Sequence, residues 1–271
     1  MRGESKDWFP LRWCLSLRRL VADCLSDGKP DQPRIILLGD SFARDAVPLL
    51  ASLANAQGFG FGVVYGYGCP VPFFDSTLNS RLHSGCAVSE EKVVYASILA
   101  GIRPGDVVVV RLYTSGVVYL GHDADMAKSA SAYDLVLNAF HGQLKRLGAH
   151  LIVIGGNPTL NLSQALQLSP QWFNRLQTAG SATFPFDNTP ETLIWKQQEE
   201  RLSAVAKAGG WTFFPTRRYI CGETSCKLRL AGNPLYYDEN HLTVFATSLF
   251  QSDLERVVMA VAGQETTVRG R

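Results

Sequence analysis

The sequence lacks two features that place a chain in a membrane or send it across one. No apolar run reaches the length of about 18 residues that a bilayer span needs, and the first residues lack the basic, apolar and small-residue order of a signal peptide. Residues 1–7 are polar and lead directly into Trp8, Phe9 and Pro10. Within these residues we therefore predict neither a membrane anchor nor a secretory signal.

Charge of one sign is also scarce. The formal net charge is +2 and the isoelectric point is near 8.2. No dense Lys/Arg run carries interleaved aromatic residues, so the sequence gives no indication of nucleic-acid binding. The basic residues Arg12, Arg18 and Arg19 form the one cluster of note. We interpret it as a solvated helical face, with contact to an anionic membrane as the alternative.

Metal-binding patterns are absent as well. No cysteine pair has Cys-x-x-Cys spacing, and no histidines complete a zinc set. His122, Asp123 and Asp125 are possible ligands, but without a second cluster we predict a polar loop there. We predict no metal site.

Six cysteines are present, and they fall into neighbouring pairs. Disulfides explain this usage better than metal does, and they occur in oxidising compartments outside the cytoplasm. Six cysteines allow fifteen pairings, and the short loops favour the sequential one. The predicted disulfides are Cys14–Cys24, Cys69–Cys86 and Cys221–Cys226. The alternative is six reduced, buried thiols in a cytosolic enzyme.

The chain has 271 residues, 46% of them apolar, which is enough for one α/β domain. Short apolar runs alternate with segments of helical pattern, which predicts a three-layer α/β/α, flavodoxin-like sandwich with a five-stranded parallel sheet. We predict strands at 35–38, 60–65, 107–112, 151–154 and 211–215, with helices at 43–55, 89–100, 130–147 and 190–208 and a closing helix after 243. The predicted division is an N-terminal extension over 1–32, one domain over 33–263 and a tail over 264–271.

Ser41 lies where the first predicted strand ends and the first predicted helix begins, in the run Gly39-Asp40-Ser41. Ligands bind at that end of the strands in open parallel sheets. The first turn of a helix also presents unpaired N–H groups and partial positive charge, which stabilise an oxyanion. Ser41 is therefore a candidate nucleophile. The alternative is that Asp40 or Ser41 only caps the helix.

A second motif, Asp238-x-x-His241, precedes the last predicted helix. A serine hydroxyl needs an imidazole to take its proton, and the imidazole needs a carboxylate to hold its tautomer and stabilise its charged form. Residues three apart can present both side chains to one point. Together with Gly-Asp-Ser near the start, this motif predicts a triad of Ser41, Asp238 and His241.

These two blocks resemble those of the SGNH (GDSL-like) hydrolases and esterases. More narrowly, Gly-Asp-Ser-Phe-Ala at 39–43, Gly-Cys-Pro at 68–70 and Tyr-Tyr-Asp-Glu-Asn-His-Leu-Thr at 236–243 resemble the extracytoplasmic SGNH domain fused to many bacterial acyltransferase family 3 membrane proteins. The resemblance implies the SGNH hydrolase fold. An excised domain of a longer membrane protein would fit this resemblance.

The resemblance also suggests which groups hold the oxyanion. In the family a glycine after the second strand donates its backbone N–H, a role for Gly66 or Gly68 beside the N–H of Ser41. A tight turn tied down by Cys69 explains either glycine equally well. The Gly-x-Asn-Asp of the broader family is missing, and Arg111 follows the corresponding strand instead. Arg111 supplies the lost donor, binds an anionic sugar or forms an ordinary ion pair.

Asn157, at the end of the fourth predicted strand, is a second candidate donor. Its alternative is a turn residue before Pro158.

The resemblance implies an O-acetyltransferase that acts through a serine acyl-enzyme on a bacterial surface polysaccharide such as O-antigen. No cofactor is expected to be bound, since a partner membrane domain passes acetyl groups from cytoplasmic acetyl-CoA outward. The expected location is the periplasmic face of the inner membrane. A carbohydrate acetylesterase and a non-catalytic glycan-binding module are the alternatives.

Overall fold

A computed structural model of the chain describes residues 14–15, 32–65, 88–111, 124–158, 183–185, 190–238 and 241–263. Its strands and helices alternate along most of this length, as expected for an α/β fold. In chain order they are β1 Cys14–Leu15, β2 Arg34–Gly39, α1 Ala43–Gln57, β3 Gly60–Tyr65, α2 Val88–Gly101, β4 Val107–Arg111, α3 Ala124–Arg146, β5 His150–Ile154, β6 Thr183–Pro185, α4 Pro190–Gly209, β7 Thr212–Phe214, α5 Arg217–Ile220, β8 Ser225–Lys227, β9 Arg229–Leu230, β10 Asn233–Pro234, α6 Val244–Ser248 and α7 Gln251–Val261.

The central sheet has the strand order β1-β3-β2-β4-β5-β7, and its strands are all parallel. The order of β3, β2, β4, β5 and β7 is that of a flavodoxin-like sheet, which confirms the predicted fold class. The five predicted strands are all present, but the sheet has six strands rather than five. The additional strand β1 pairs with β3 through Cys14 opposite Val64. It is only two residues long, too short for a sequence pattern to indicate.

The two faces of the sheet bury alternate residues of the same strands. On β2, Ile35 and Leu37 pack into one core with α1, α6 and α7. Ile36 and Leu38 pack into the other core with α2, α3 and α4. A strand covered on both faces is mostly apolar, and this explains the continuous apolar runs at residues 35–38 of β2 and 107–110 of β4.

Several boundaries differ from the sequence-based expectations. Helix α3 begins at Ala124, so Asp125 is helical rather than part of the predicted polar loop. The closing helix is two helices, α6 and α7. Short antiparallel pairs, β6 with β8 and β9 with β10, lie outside the central sheet. The predicted division at residues 32 and 264 stays a prediction, because residues 16–31 and 264–271 lie outside the described ranges.

No helix in the described ranges combines the length and the apolar character needed to cross a membrane.

A buried ion pair closes the end of the sheet at which β2 begins. Arg34 and Asp106 are 1% and 0% exposed. The Arg34 guanidinium donates through Nη2 to Asp106 Oδ2 at 2.6 Å and through Nε to Oδ1 at 3.1 Å. The backbone N–H of Arg103 also donates to Oδ2, at 2.7 Å. Asp106 thus holds the start of β2 against the turn before β4.

Asp106→Ala should lower the free energy of unfolding by about 3–5 kcal/mol, because it leaves a buried guanidinium without its counter-charge. Denaturant unfolding would measure the loss. Adding Arg34→Met to the same variant removes the unpaired charge and should recover part of the stability. If the single variant unfolds like the unmodified protein, the ion pair does not carry this role.

Candidate active site

Ser41 lies two residues after Gly39, the end of β2, with Asp40 between them. Gly39, the last residue of the strand, lies opposite Arg111 of β4. A Cβ atom at Gly39 would lie 1.9 Å from the carbonyl oxygen of Arg111 and 2.9 Å from the Cβ of Ala43. Only glycine allows β2 to run this close to β4 and turn immediately into α1. The glycine of the Gly-Asp-Ser motif is therefore needed to place the serine.

Asp40 and Ser41 have different partners at the start of α1. The side chain of Asp40 is buried, and its Oδ1 accepts from the backbone N–H of Phe42 at 2.9 Å. The hydroxyl of Ser41 lies 3.0 Å from Nε2 of His241, 200 residues further along the chain. Of the two residues that the capping interpretation offered, Asp40 accepts from the N–H of Phe42, the residue before the helix, and Ser41 faces the imidazole.

The chain reverses direction between Asp238 and His241, where Tyr236 pairs with Leu242 in antiparallel fashion, and we call this reversal the Asp238 turn. Oδ1 of Asp238 accepts from the backbone N–H of His241 at 2.8 Å. Nδ1 of the same histidine lies 2.8 Å from Oδ2 and 3.0 Å from Oδ1. One carboxylate thus orients both the backbone and the ring of His241. The turn is closed at its base by the N–H of Tyr237, which donates to the carbonyl of His241 at 3.2 Å.

Two aromatic rings hold the imidazole of His241. Phe42 lies with its ring centroid 4.8 Å from that of His241, tilted by 34°. Tyr237 stacks at 5.4 Å with an interplanar angle of 16°. The imidazole keeps some access to solvent, since the side chain of His241 is 17% exposed and that of Asp238 is 41% exposed. Tyr237 itself is 46% exposed.

Several carboxylates act on the protonation of His241. Burial alone would lower its pKa, but the hydrogen bond to Asp238 and the charges of Asp45, Asp238 and Asp40 outweigh burial and raise the pKa above its usual value. A raised pKa makes the imidazole a stronger base towards a hydroxyl proton. The arrangement can therefore take a proton from Ser41 and hold it as an imidazolium beside Asp238.

The comparisons with known proteins agree with this fold. A family model described as "SGNH domain (fused to AT3 domains)" matches residues 9–256. The chain belongs to this SGNH-domain family. Ser41, Asp238 and His241, which the motifs singled out, all lie inside the matched residues.

Two solved structures are similar to the chain at low sequence identity, and the first of them has the same fold. The periplasmic domain of a lipopolysaccharide acetyltransferase from Salmonella ser. Paratyphi A has a TM-score of 0.64 and 18% identity, over 90% of this chain and 91% of that one. A putative arylesterase from Agrobacterium tumefaciens str. C58 has a TM-score of 0.49 and 16% identity, over 85% of this chain and 100% of that one. No curated protein matches the chain.

Two of the predicted oxyanion donors of this SGNH domain, Arg111 and Asn157, are buried and contact each other. Arg111, at the end of β4, is fully buried; its Nη2 donates to Oδ1 of Asn157 at 3.2 Å and lies 3.8 Å from Oδ2 of Asp45. The contact with Asp45 is the ion pair that one of the three interpretations of Arg111 expects. Asn157 is also buried, at 1% exposure. Gly66 and Gly68 lie outside the described residues.

Asp45 is a residue of the site that sequence reasoning missed. It is 6% exposed, and its Oδ2 accepts from the backbone N–H of Leu242 at 2.9 Å. The available signal was its position, four residues after Ser41 on a helix face that is otherwise apolar. The SGNH domain thus places a second carboxylate behind His241.

Of the predicted disulfides, Cys221–Cys226 is formed, with an S–S distance of 2.02 Å. Cys14 lies in β1, whereas Cys24, Cys69 and Cys86 lie outside the described residues. Among the side chains that the structure describes, no group of three or more His, Cys, Asp or Glu residues could hold a metal ion. The disulfide joins the residue after α5 to β8, and β9, β10 and the Asp238 turn follow in the chain.

Proposed function

We propose that this SGNH domain is a serine-dependent O-acetyltransferase that moves an acetyl group onto a hydroxyl of a bacterial surface polysaccharide. The observation that supports it most directly is the chain of contacts from the Ser41 hydroxyl to Nε2 of His241, and from Nδ1 to the carboxylate of Asp238. A hydroxyl, a base and an orienting carboxylate in this order are the parts of a covalent acyl-transfer site.

In the first half-reaction, Oγ of Ser41 attacks the acetyl carbonyl of the donor as its proton passes to Nε2 of His241. The tetrahedral oxyanion is held by the backbone N–H of Ser41 and by that of Gly66 or Gly68. The carbonyl then re-forms, the bond to the donor oxygen or sulfur breaks, and His241 returns the proton to the leaving group. Acetyl-Ser41 remains.

In the second half-reaction, a sugar hydroxyl attacks the acetyl carbonyl of acetyl-Ser41 while His241 takes the hydroxyl proton. The new tetrahedral intermediate collapses, the bond between Oγ and the carbonyl carbon breaks, and the proton returns from His241 to Ser41. Asp238 holds Nδ1 throughout and stabilises the imidazolium. The acetyl group ends as a sugar ester, and the enzyme is restored.

The family supports an inference about the partner domain and the location. Its description places such domains in fusion with AT3 domains, and the Salmonella structure is described as the periplasmic domain of a lipopolysaccharide acetyltransferase. We infer an acyltransferase membrane domain as partner, with acetyl groups that originate from cytoplasmic acetyl-CoA. We place this domain on the periplasmic face of the inner membrane, with a polysaccharide such as O-antigen as acceptor.

Incubation with p-nitrophenyl acetate, with and without an oligosaccharide acceptor, tests the proposal. We expect p-nitrophenol release in both cases and, with acceptor present, a sugar product 42 mass units heavier by mass spectrometry, the mass of one added acetyl group. Acetate release with no acetylated sugar would instead identify a carbohydrate acetylesterase. Neither product, together with tight glycan binding, would identify a glycan-binding module.

A further inference from the structure

A buried carboxylate connects the helix of the candidate nucleophile with the turn of the candidate base. Asp45 lies on α1 four residues after Ser41, about one helical turn. Its Oδ2 accepts from the N–H of Leu242 at 2.9 Å, and Leu242 follows His241 directly in the chain. Any movement of the turn away from α1 must break this bond and leave the buried carboxylate of Asp45 without it.

Arg111 of β4 supplies the counter-charge. Its Nη2 lies 3.8 Å from Oδ2 of Asp45 and donates to Oδ1 of Asn157 at 3.2 Å. The guanidinium is fully buried, and within the described structure its Nε and Nη1 have no hydrogen-bond partner. A buried guanidinium with so few hydrogen bonds depends strongly on its one close carboxylate.

The protonation of these groups is coupled. Burial raises the pKa of Asp45 to about 6, and the charge of Arg111, the N–H of Leu242 and the charge of His241 act in the opposite direction. Among described residues, the charged groups that face Asp45 are Arg111, His241 and Asp238. Those that face His241 are Asp238, Asp45 and Asp40. Arg111 thus favours an ionised Asp45 at neutral pH, and that charge acts on His241.

We propose that Asp45 is a positioning residue that fixes the His241 turn against the Ser41 helix and, through its charge, helps to set the protonation of His241. Arg111 then serves the site by holding Asp45 ionised and does not donate to the oxyanion. The part of this inference that concerns catalysis rests on the proposed function. The part that concerns the charge on His241 does not.

Asp45→Asn tests the charge. The asparagine oxygen still accepts from the N–H of Leu242, so the anchor is retained while the negative charge is lost. The pKa of His241, followed by NMR titration with its resonances assigned through their loss in His241→Gln, should fall by about half a pH unit or more. The acid limb of the pH profile of kcat/KM should move to lower pH by the same amount.

Asp45→Leu removes the anchor as well as the charge. Its kcat should fall about 10-fold or more below that of Asp45→Asn, because a misplaced base loses its reach to the hydroxyl. If Asp45 served stability alone, Asp45→Asn and Asp45→Leu would lower the melting temperature. The pKa of His241 and the pH profile of kcat/KM would then be unchanged.

Two further variants guard the test. Asp45→Asn/Arg111→Met removes both buried charges, so no unpaired guanidinium remains to prevent folding. In this double variant too, the pKa of His241 should fall. Asp134→Asn removes the carboxylate of the ion pair with Arg201, 3.4 Å apart on α3 and α4, and should change neither the pKa nor the profile.

The outcomes separate this inference from the proposed function. An unchanged pKa of His241 in Asp45→Asn and in Asp45→Asn/Arg111→Met overturns the inference. A lowered pKa with an unmoved acid limb overturns its catalytic part. If Ser41→Ala keeps full activity while the pKa of His241 falls as expected, the proposed function fails and the electrostatic role of Asp45 stands.

Discussion

Ser41→Ala should reduce the turnover of p-nitrophenyl acetate by about 10⁴-fold or more, because it removes the oxygen that would form the acyl bond. The fold should be unaffected. The N–H of Phe42, the residue before α1, is bound by Asp40 rather than by Ser41, and the serine side chain at this half-buried position is replaced by a smaller one. Initial rates and thermal unfolding, measured on the same preparation, would check both statements.

A matched control is available on α6. Ser248→Ala removes an exposed hydroxyl that donates only to the carbonyl of Phe245 in its own helix, at 2.7 Å, and it should leave turnover unchanged. Mass spectrometry of the unmodified protein after a short exposure to p-nitrophenyl acetate should find one acetyl group on residue 41. A Ser41→Ala protein that turns over at the normal rate would end the assignment of the nucleophile.

Asp238→Asn should lower kcat by about 10²- to 10⁴-fold, with the smaller value applying if solvent screens the half-exposed carboxylate. The asparagine oxygen can still accept from the backbone N–H of His241, so the turn should persist. Nδ1 of the ring loses its charged acceptor, the wrong tautomer is favoured, and the imidazolium is no longer stabilised. The pKa of His241 should therefore fall.

Asp238→Ala separates the two roles of this carboxylate. It removes the acceptor for the backbone N–H along with the charge, so it should disturb the turn and reduce kcat below the level of Asp238→Asn. The pH profile of kcat/KM and the NMR titration of His241 provide the measurements. Equal kcat for Asp238→Asn and the unmodified protein would show that Asp238 does not orient the base.

The sheet was predictable because both of its faces are covered. Strands β2 and β4 bury every residue, so residues 35–38 and 107–110 appear in the sequence as uninterrupted apolar runs. Helix α3 could be recognised by its spaced apolar residues, and Tyr133, Phe140 and Leu144 are indeed buried against the sheet. Strand β1 could not be recognised, because a strand of two residues at the edge of the sheet leaves no periodic signal.

The candidate site was predictable only in part, and the reason is different for each residue. Ser41, Asp238 and His241 belong to short motifs whose chemistry requires a hydroxyl, a carboxylate and an imidazole. Arg111 was noticed for its place at the end of β4, but its ion pair with Asp45 depends on the packing of α1 over the sheet. Asp45 was missed, because an acidic residue in a helix gives no sign of a backbone partner at Leu242.

The sequence by itself determined the layered α/β architecture and the identity of the reactive groups, because apolar periodicity and short motifs are local properties of the chain. Only the tertiary structure decided that the Ser41 hydroxyl faces His241 and that Arg111 turns to Asp45. Those contacts join residues up to 200 positions apart. Their geometry follows from the packing of α1 and the Asp238 turn at one edge of the sheet, which no local pattern encodes.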